Sequence, residues 1–180
     1  MKIQFVILIL FTISCSNPKE TGKVEVLNPP SPTKSTSSNV QKLLHAIIGT
    51  DGLLRGVQLG DAISDVKKKE KAELFEEEDT HIGYTFDTEN LETVDILYEK
   101  DAQNRVKGIE LDIYMNTDTS NENLKNEMSN EFTTRFGKPL TNSEDLTWAI
   151  KPKGKVTIKV IKNKLDRGLE IKFSQDSKVM

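Results

Sequence analysis

The chain alternates between segments whose apolar residues recur at helical spacing and segments in which every second residue is apolar. The first helical segment follows candidate N-caps at 37–39 and ends before Gly49. Its apolar face consists of Val40, Leu43, Leu44, Ile47 and Ile48. A second helix is predicted over 61–71, with Asp61 as its cap. Its inner face carries Ile63 and Val66.

The strongest helix signal lies over 119–136. Residues 119–122 read Thr-Ser-Asn-Glu, a capping box in which the first and last side chains close the start of the helix. An apolar residue then recurs at every fourth position: Leu124, Met128, Phe132 and Phe136. Gly137 and Pro139 end the helix, because glycine accommodates the turn that follows and proline cannot continue it.

Seven segments alternate apolar and polar residues, which is the pattern of strands with one buried face. They are 74–75, 84–86, 94–98, 106–115, 146–150, 156–161 and 169–173. In the clearest, Ile109, Leu111, Ile113 and Met115 point inward and Glu110, Asp112 and Tyr114 point outward. By the same alternation Trp148 belongs to the buried set. The order of elements predicts an α+β fold, an antiparallel sheet of six to eight strands in meanders with the helices packed on one face.

The two halves of this region repeat each other. Residues 84–86 (Tyr-Thr-Phe) match 146–148 (Leu-Thr-Trp) 62 positions later. Residues 105–111 line up with 167–171 at an offset of 60. These matches predict two αβββ repeats, each a helix followed by a three-strand meander. The alternative is that any two segments with such alternation look alike.

The first fifteen residues have the layout of an export signal. Lys2 gives a positive start, residues 5–11 are uniformly apolar, and Ser14 precedes the only cysteine, Cys15. The apolar run is too short to span a bilayer, which takes about twenty residues. The segment resembles the signal peptide of bacterial lipoproteins. That resemblance implies that Cys15 is acylated, becomes the mature N-terminus and holds the protein on a membrane.

This resemblance sets the expected organisation of the chain. Residues 1–14 would be the signal peptide, and 15–39, rich in Pro, Ser, Thr, Lys and Asn, a flexible tether. Residues 40–174 would form a single globular α+β domain, followed by a frayed tail at 175–180. With Cys15 acylated, the mature domain has no thiol for a disulfide, a zinc site or nucleophilic catalysis. The expected location is the bacterial cell envelope, on the periplasmic or surface face of the outer membrane rather than at the inner membrane.

Residues 55–60 read Arg-Gly-Val-Gln-Leu-Gly, and Val66 follows in a predicted helix. This opening resembles small α/β envelope lipoproteins, such as the accessory lipoproteins of the outer-membrane barrel-assembly machine. Those families usually place Ser or Thr where this chain has Ala62, which leaves Asp61 as the expected cap. The order of elements is also similar to the repeat of β-lactamase-inhibitor proteins, which implies tight binding to one enzyme.

Charge is unevenly distributed, although the net charge is only −3. Residues 70–99 hold eleven acidic side chains and one lysine, whereas 146–174 hold eight basic side chains and two acidic ones. The overall balance does not favour nucleic acid as a partner. Two charged faces are candidates for binding a partner, and they consist of Lys153, Lys155 and Lys159 or of Glu76, Glu77 and Glu78.

Residues suited to catalysis or metal binding are few. His45 and His81 have no neighbouring partner for acid–base catalysis, and the carboxylates at 76–79 lack the spacing of a calcium loop. Four other carboxylates are expected on the wet face of neighbouring strands: Asp95, Glu99, Glu110 and Asp112. They would solubilise the sheet or, if they cluster, favour a basic partner. The sequence predicts no catalytic residue, no metal site and no cofactor.

These features favour a membrane-anchored, non-catalytic lipoprotein domain that binds another protein or an envelope polymer. Two alternatives stay open. One is an inhibitor or immunity protein that binds a single enzyme. The other is a small hydrolase, which would need a concave site with convergent polar groups.

Overall fold

A computed structural model of the protein describes residues 34–90, 92–141, 145–152, 154–163 and 166–175. Several predictions fall outside the described residues. These are the acylation of Cys15, the signal peptide and tether as far as residue 33, the side chain of Lys153 and the tail from residue 176 onward.

The described part of the chain contains three helices and eight strands. The helices are α1 (Lys34–Ile48), α2 (Ile63–Lys69) and α3 (Asp118–Phe136). The strands are β1 (Glu73–Glu77), β2 (His81–Asp87), β3 (Thr93–Lys100), β4 (Val106–Tyr114), β5 (Leu140–Thr141), β6 (Leu146–Ile150), β7 (Gly154–Lys162) and β8 (Arg167–Gln175). None of these helices is long and apolar enough to cross a membrane. The predicted α+β class is confirmed.

All eight strands form one antiparallel sheet in the order β1-β2-β3-β4-β8-β7-β6-β5. Strands β1 to β4 form one meander and β5 to β8 form another, and β4 and β8 join the two. Each half is therefore a helix followed by four strands, α2 before the first meander and α3 before the second. The prediction of three strands in each repeat was wrong by one. In the first half all four strands alternate in the sequence, so the repeat unit itself was set one strand too short, and in the second half the two residues of β5 are too few to show alternation.

The junction of the two meanders has approximate twofold symmetry. Gly108 pairs with Ser174, and Tyr114 pairs with Gly168. By the 60-residue offset found in the sequence, Gly108 corresponds to Gly168 and Ser174 corresponds to Tyr114. The repeat therefore relates the first pair to the second. At the centre, Leu111 lies opposite its own repeat equivalent, Ile171, and both side chains are fully buried. The register of the sheet thus agrees with the repeat read from the sequence.

The helices cover one face of the sheet. Helix α3 packs on β6, β7 and β8, and α1 packs on α3. Three members of the predicted α3 stripe are buried, and Phe136 is partly buried. The Phe132 ring meets Trp148 and Phe173 edge to face, with ring centroids 5.5 and 5.6 Å apart. The prediction that Phe132 and Trp148 are core residues is confirmed.

A buried ion pair fixes the segment between α1 and β1 against the sheet. The Glu70 side chain is fully buried and accepts a hydrogen bond from Nη2 of Arg55 at 2.6 Å. It also accepts from the Tyr98 hydroxyl at 2.9 Å and from the Ala72 N–H at 3.0 Å. Burial raises the pKa of Glu70, but the Arg55 and Ala72 hydrogen bonds, the Arg55 charge and the Tyr98 hydroxyl outweigh it, so the pKa is lowered.

The helix starts differ from those predicted. Helix α1 begins at Lys34, so the candidate caps at 37–39 lie inside it, and helix occupies residues 34–39 of the segment expected to be tether. The N-cap of α3 is Thr117, whose Oγ1 accepts from the Ser120 N–H at 3.0 Å. The expected capping box at 119–122 was therefore two residues late. Strand β8 reaches residue 175, the first residue of the expected tail.

The predicted cap of α2 was also wrong. Ala62 occupies the N-cap position and makes no side-chain cap. Oδ2 of Asp61 instead accepts from the Gln58 N–H at 3.2 Å and from Nζ of Lys69 at 2.8 Å. Asp61 therefore closes the turn before the helix and ties it to the last turn of α2.

Candidate functional site: the open face of the sheet

The side of the sheet opposite the helices carries the outward side chains of β2–β4 and β6–β8, and we call it the open face. Residues directly opposite each other in antiparallel strands lie on the same side of a sheet, so the open face consists of cross-strand rows. One central row is Thr85, Asp95, Asp112, Glu170 and Lys159. The next is Gly83, Leu97, Glu110, Lys172, Thr157 and Thr147.

Three carboxylates stand side by side in the first row, and we call Asp95, Asp112 and Glu170 the carboxylate row. Like charges directly opposite each other destabilise a sheet. The row ends at Lys159, whose Nζ lies 3.6 Å from Oε2 of Glu170. Within the described part of the chain, the side chains of Asp95 and Asp112 have no ion-pair or hydrogen-bond partner. The negative charge of the row is therefore only partly neutralised.

Asp112, the middle carboxylate of this row, is repelled by the carboxylates around it. Partial burial raises the pKa of Asp112, and the charges of Glu110, Glu170 and Asp95 raise it further. Lys159 has a smaller, opposite effect. A positive charge added beside Asp112 would therefore offset the repulsion from its three acidic neighbours.

The second row is neutralised by its own lysine. Nζ of Lys172 donates to Glu110 at 2.7 Å and to Glu99 at 3.0 Å. These hydrogen bonds raise the pKa of Lys172 despite its partial burial. Two adjacent rows of the same face therefore differ, since one is internally paired and the other lacks a cation at its centre.

The carboxylates at the centre of the open face are close enough to share one ligand. One oxygen from each of Glu110, Asp112 and Glu170 lies within 4.8 Å of the others. Carboxylate oxygens at this spacing suit a divalent cation or the ammonium or guanidinium group of a basic side chain. Glu110 already contacts Lys172 at 2.7 Å, whereas Glu170 lies 3.6 Å from Lys159, so a second cation would be held mainly by Asp112 and by the more loosely paired Glu170.

Of the two charged faces predicted from the sequence, the lysine face adjoins this centre and the glutamate face lies apart from it. Lys155 and Lys159 are outward on β7, as expected, and Lys159 borders the carboxylate row. At the opposite edge, Glu76 on β1 contacts the His81 ring at 2.9 Å, and Glu77 is paired with Lys67 at 2.7 Å. Glu78 is exposed in the turn after β1.

Sequence reasoning placed most of the central cluster but missed one member. The prediction that Asp95, Glu99, Glu110 and Asp112 share the wet face is confirmed by the register of β3 and β4. Glu170 lies within the basic C-terminal segment, where no local pattern connects it with these four residues. The 60-residue repeat contained the missing signal, because Glu170 is the repeat equivalent of Glu110 and must lie on the same face of the adjoining strand.

The two histidines lie away from the carboxylate row. His45 is exposed on α1. The His81 ring contacts Glu76 through Nε2 and the Thr80 hydroxyl through Nδ1, at 2.9 and 3.0 Å. Each ring nitrogen of His81 therefore has a local partner near the sheet edge.

No family model, curated protein or solved structure matches this chain. Its function is therefore inferred from the residues of the open face themselves.

Proposed function

We propose that the chain is a non-catalytic binding domain whose open face engages a basic surface of another protein. The observation that carries this proposal is the carboxylate row, in which Asp95, Asp112 and Glu170 occupy adjacent strands directly opposite one another. A partner that places lysine or arginine side chains over the row would supply the positive charge that the described residues do not.

The energetics favour this role. A row of like charges lowers the stability of the free domain, and residue choices that lower stability are expected mainly at functional sites. A cation brought by a partner would relieve the repulsion around Asp112, so the gain would be realised only in the complex. Complementary charge would also accelerate association and discriminate against acidic partners.

The shape of the face suits a macromolecule better than a small substrate. The cavity beside Asp112, Tyr114 and Gly168 has a volume of about 160 Å³. Pockets for drug-sized molecules are larger, about 300 to 1,000 Å³. Partly exposed Leu97 and exposed Tyr114 flank the carboxylates and offer apolar contact area next to the charge.

We also propose that acylated Cys15 anchors this domain in the bacterial envelope, on the outer membrane. Support comes from the export-type apolar run before the lone cysteine. Mass spectrometry of the mature N-terminal peptide tests it, since a lipid-modified Cys15 is expected in the natural chain. An unmodified Cys15, or full membrane retention of Cys15→Ser, would contradict it.

Site-specific photo-crosslinking in cells tests the binding face. A photoreactive amino acid at Leu97 or Thr157 on the open face is expected to crosslink one specific protein. The same probe at exposed Asn126 or Asn130 of α3 serves as the matched control and should not capture it. Equal capture from both sides would contradict the proposal, as would crosslinks to an envelope polymer alone.

The identity of the captured protein separates the remaining classes. A single enzyme whose activity falls on binding would indicate the inhibitor role. Capture that is abolished by a chelator and restored by calcium would indicate that a metal ion, rather than a basic side chain, bridges Glu110, Asp112 and Glu170.

A further inference from the structure

A buried glutamate, Glu92, immediately precedes β3. Strand alternation directs Val94 and Ile96 into the core. Glu92, two residues before Val94, lies in the loop that precedes β3, where its backbone carbonyl accepts from the Thr88 N–H at 2.8 Å. Glu92 is only 6% exposed. A buried carboxylate at an apolar position is costly unless it is paired, so this residue requires an explanation.

Glu92 has little to pair with. Among the described residues, its carboxylate accepts one side-chain hydrogen bond, from Oγ1 of Thr88 to Oε2 at 3.5 Å. The backbone N–H of Glu92 donates back to the same hydroxyl at 3.2 Å, which fixes the loop between β2 and β3. Burial raises the pKa of the Glu92 carboxyl, and the Thr88 hydroxyl only partly opposes this. In the described part of the chain, the Glu92 carboxylate therefore has only this one long hydrogen bond.

The same carboxylate lines a cavity of about 230 Å³ between α1 and the loop that joins β2 to β3. The apolar part of the wall comes from Leu43, Ala46 and Phe86. Lys42 is the only cationic side chain among the described lining residues, and it is paired with Glu89 at 3.3 Å, where both side chains are mostly exposed. Among the described residues that line the cavity, no cation thus neutralises Glu92.

A cavity with one apolar wall and an underpaired carboxylate is complementary to a cation with a short hydrocarbon body. An ammonium group has three donors and would satisfy Glu92 with charge-assisted hydrogen bonds. The cavity is smaller than pockets for drug-sized ligands, which limits the hydrocarbon part to a few carbons. We propose that this cavity binds a small aliphatic amine, with its ammonium group on Glu92 and its alkyl chain against Leu43, Ala46 and Phe86. This site is separate from the open face and does not depend on the function proposed for it.

The test is a titration of the isotope-labelled full-length protein with n-butylamine, followed by two-dimensional NMR. Saturable shifts are expected at the backbone amides of Ala46, Phe86 and Thr88. The matched probe 1-butanol has the same shape without the charge and should bind at least about tenfold more weakly, as expected for loss of a hydrogen bond to a charged group.

Two isosteric variants test which carboxylate binds the ammonium group. Glu92→Gln should weaken butylamine binding about tenfold or more. Glu89→Gln, at the exposed mouth, should change it less than about twofold, because exposed ion pairs contribute little. Thermal melts of both variants confirm that they are folded. Equal binding of butanol and butylamine, unchanged binding in Glu92→Gln, or no saturable shift at the cavity amides would overturn the proposal.

Discussion

Asp112 and Glu170 face each other across β4 and β8 as two carboxylates, whereas the equivalent pair in the repeat, Glu110 and Lys172, is a salt bridge of 2.7 Å. The 60-residue offset relates Asp112 to Lys172 and Glu170 to Glu110. Near-symmetric positions at the centre of the sheet therefore carry one attractive pair and one repulsive pair. Asp112 is the residue that makes the difference, and it lies at the centre of the proposed binding face.

Replacing Asp112 should stabilise the free domain. Asp112→Asn removes the repulsion between Asp112 and Glu170. Asp112→Lys places a lysine opposite Glu170, which creates the equivalent of the ion pair between Glu110 and Lys172. We expect gains in the free energy of unfolding of up to about 1 kcal/mol, the usual range for a cross-strand pair, and a larger gain for lysine. Urea melts measure both. A loss of stability in Asp112→Asn would mean that the carboxylate is favourably solvated where it stands.

The stability difference between the natural protein and Asp112→Asn should depend on pH. The pKa of Asp112 in the folded state is raised above the ordinary value of 3.8, so the folded protein retains this proton at higher pH than the unfolded chain does. The natural protein therefore loses stability relative to the variant as pH rises from 3.8 through the folded-state pKa, and the full difference persists at neutral pH. Urea melts of both proteins across this interval test the sign. A difference that is constant with pH would contradict it.

Two glycines on the open face, equivalent in the repeat, should respond differently to alanine. A Cβ at Gly168 would overlap the backbone carbonyl oxygen of Ile113, which cannot move without breaking the β4–β8 pairing. A Cβ at Gly108 would come within 2.9 Å of Oε2 of Glu99, the movable end of a side chain. Gly168→Ala should cost about 3 kcal/mol, and Gly108→Ala about 1 kcal/mol. Equal costs in denaturant melts would contradict the register assigned to the central strands.

The Arg55–Glu70 pair should be important for stability. Arg55→Met leaves the Glu70 carboxylate fully buried without its main partner, and we expect a loss of about 3 kcal/mol. Lys67→Met is the matched control, because it removes an ion pair of similar length, 2.7 Å, whose side chains are both more than 40% exposed. That loss should stay below about 1 kcal/mol. Similar losses for the two variants would contradict the full burial of the Glu70 side chain.

The sequence predicted the parts of this fold that depend on local periodicity. Alternation identified seven of the eight strands, and the apolar stripe identified α3, because both signals repeat along one element. The cap of α3 was misplaced because Thr117 and Thr119 are both good caps and only the backbone selects between them.

Contacts between distant segments were not predictable in the same way. Nothing local connects Glu70 with Tyr98, and the partner of Asp112 depends on the register of β4 against β8. Only the internal repeat carried that information, since its offset places Glu170 beside Asp112. Glu92 is identifiable in the sequence as a polar residue two positions before the apolar series Val94, Ile96 and Tyr98. The cavity beside Glu92 is not predictable from the sequence.

The most direct test of the proposed binding face is the affinity for the crosslinked partner of two doubly neutralised variants. Asp112→Asn with Glu170→Gln removes two charges from the carboxylate row, and Glu77→Gln with Glu78→Gln removes two from the β1 edge, so both variants change the net charge equally. At low ionic strength we predict that the first weakens binding at least about tenfold and reduces its salt dependence, while the second changes affinity less than about twofold. Equal affinities for the two variants, or loss of binding only in the β1-edge variant, would contradict the assignment of the open face as the binding surface.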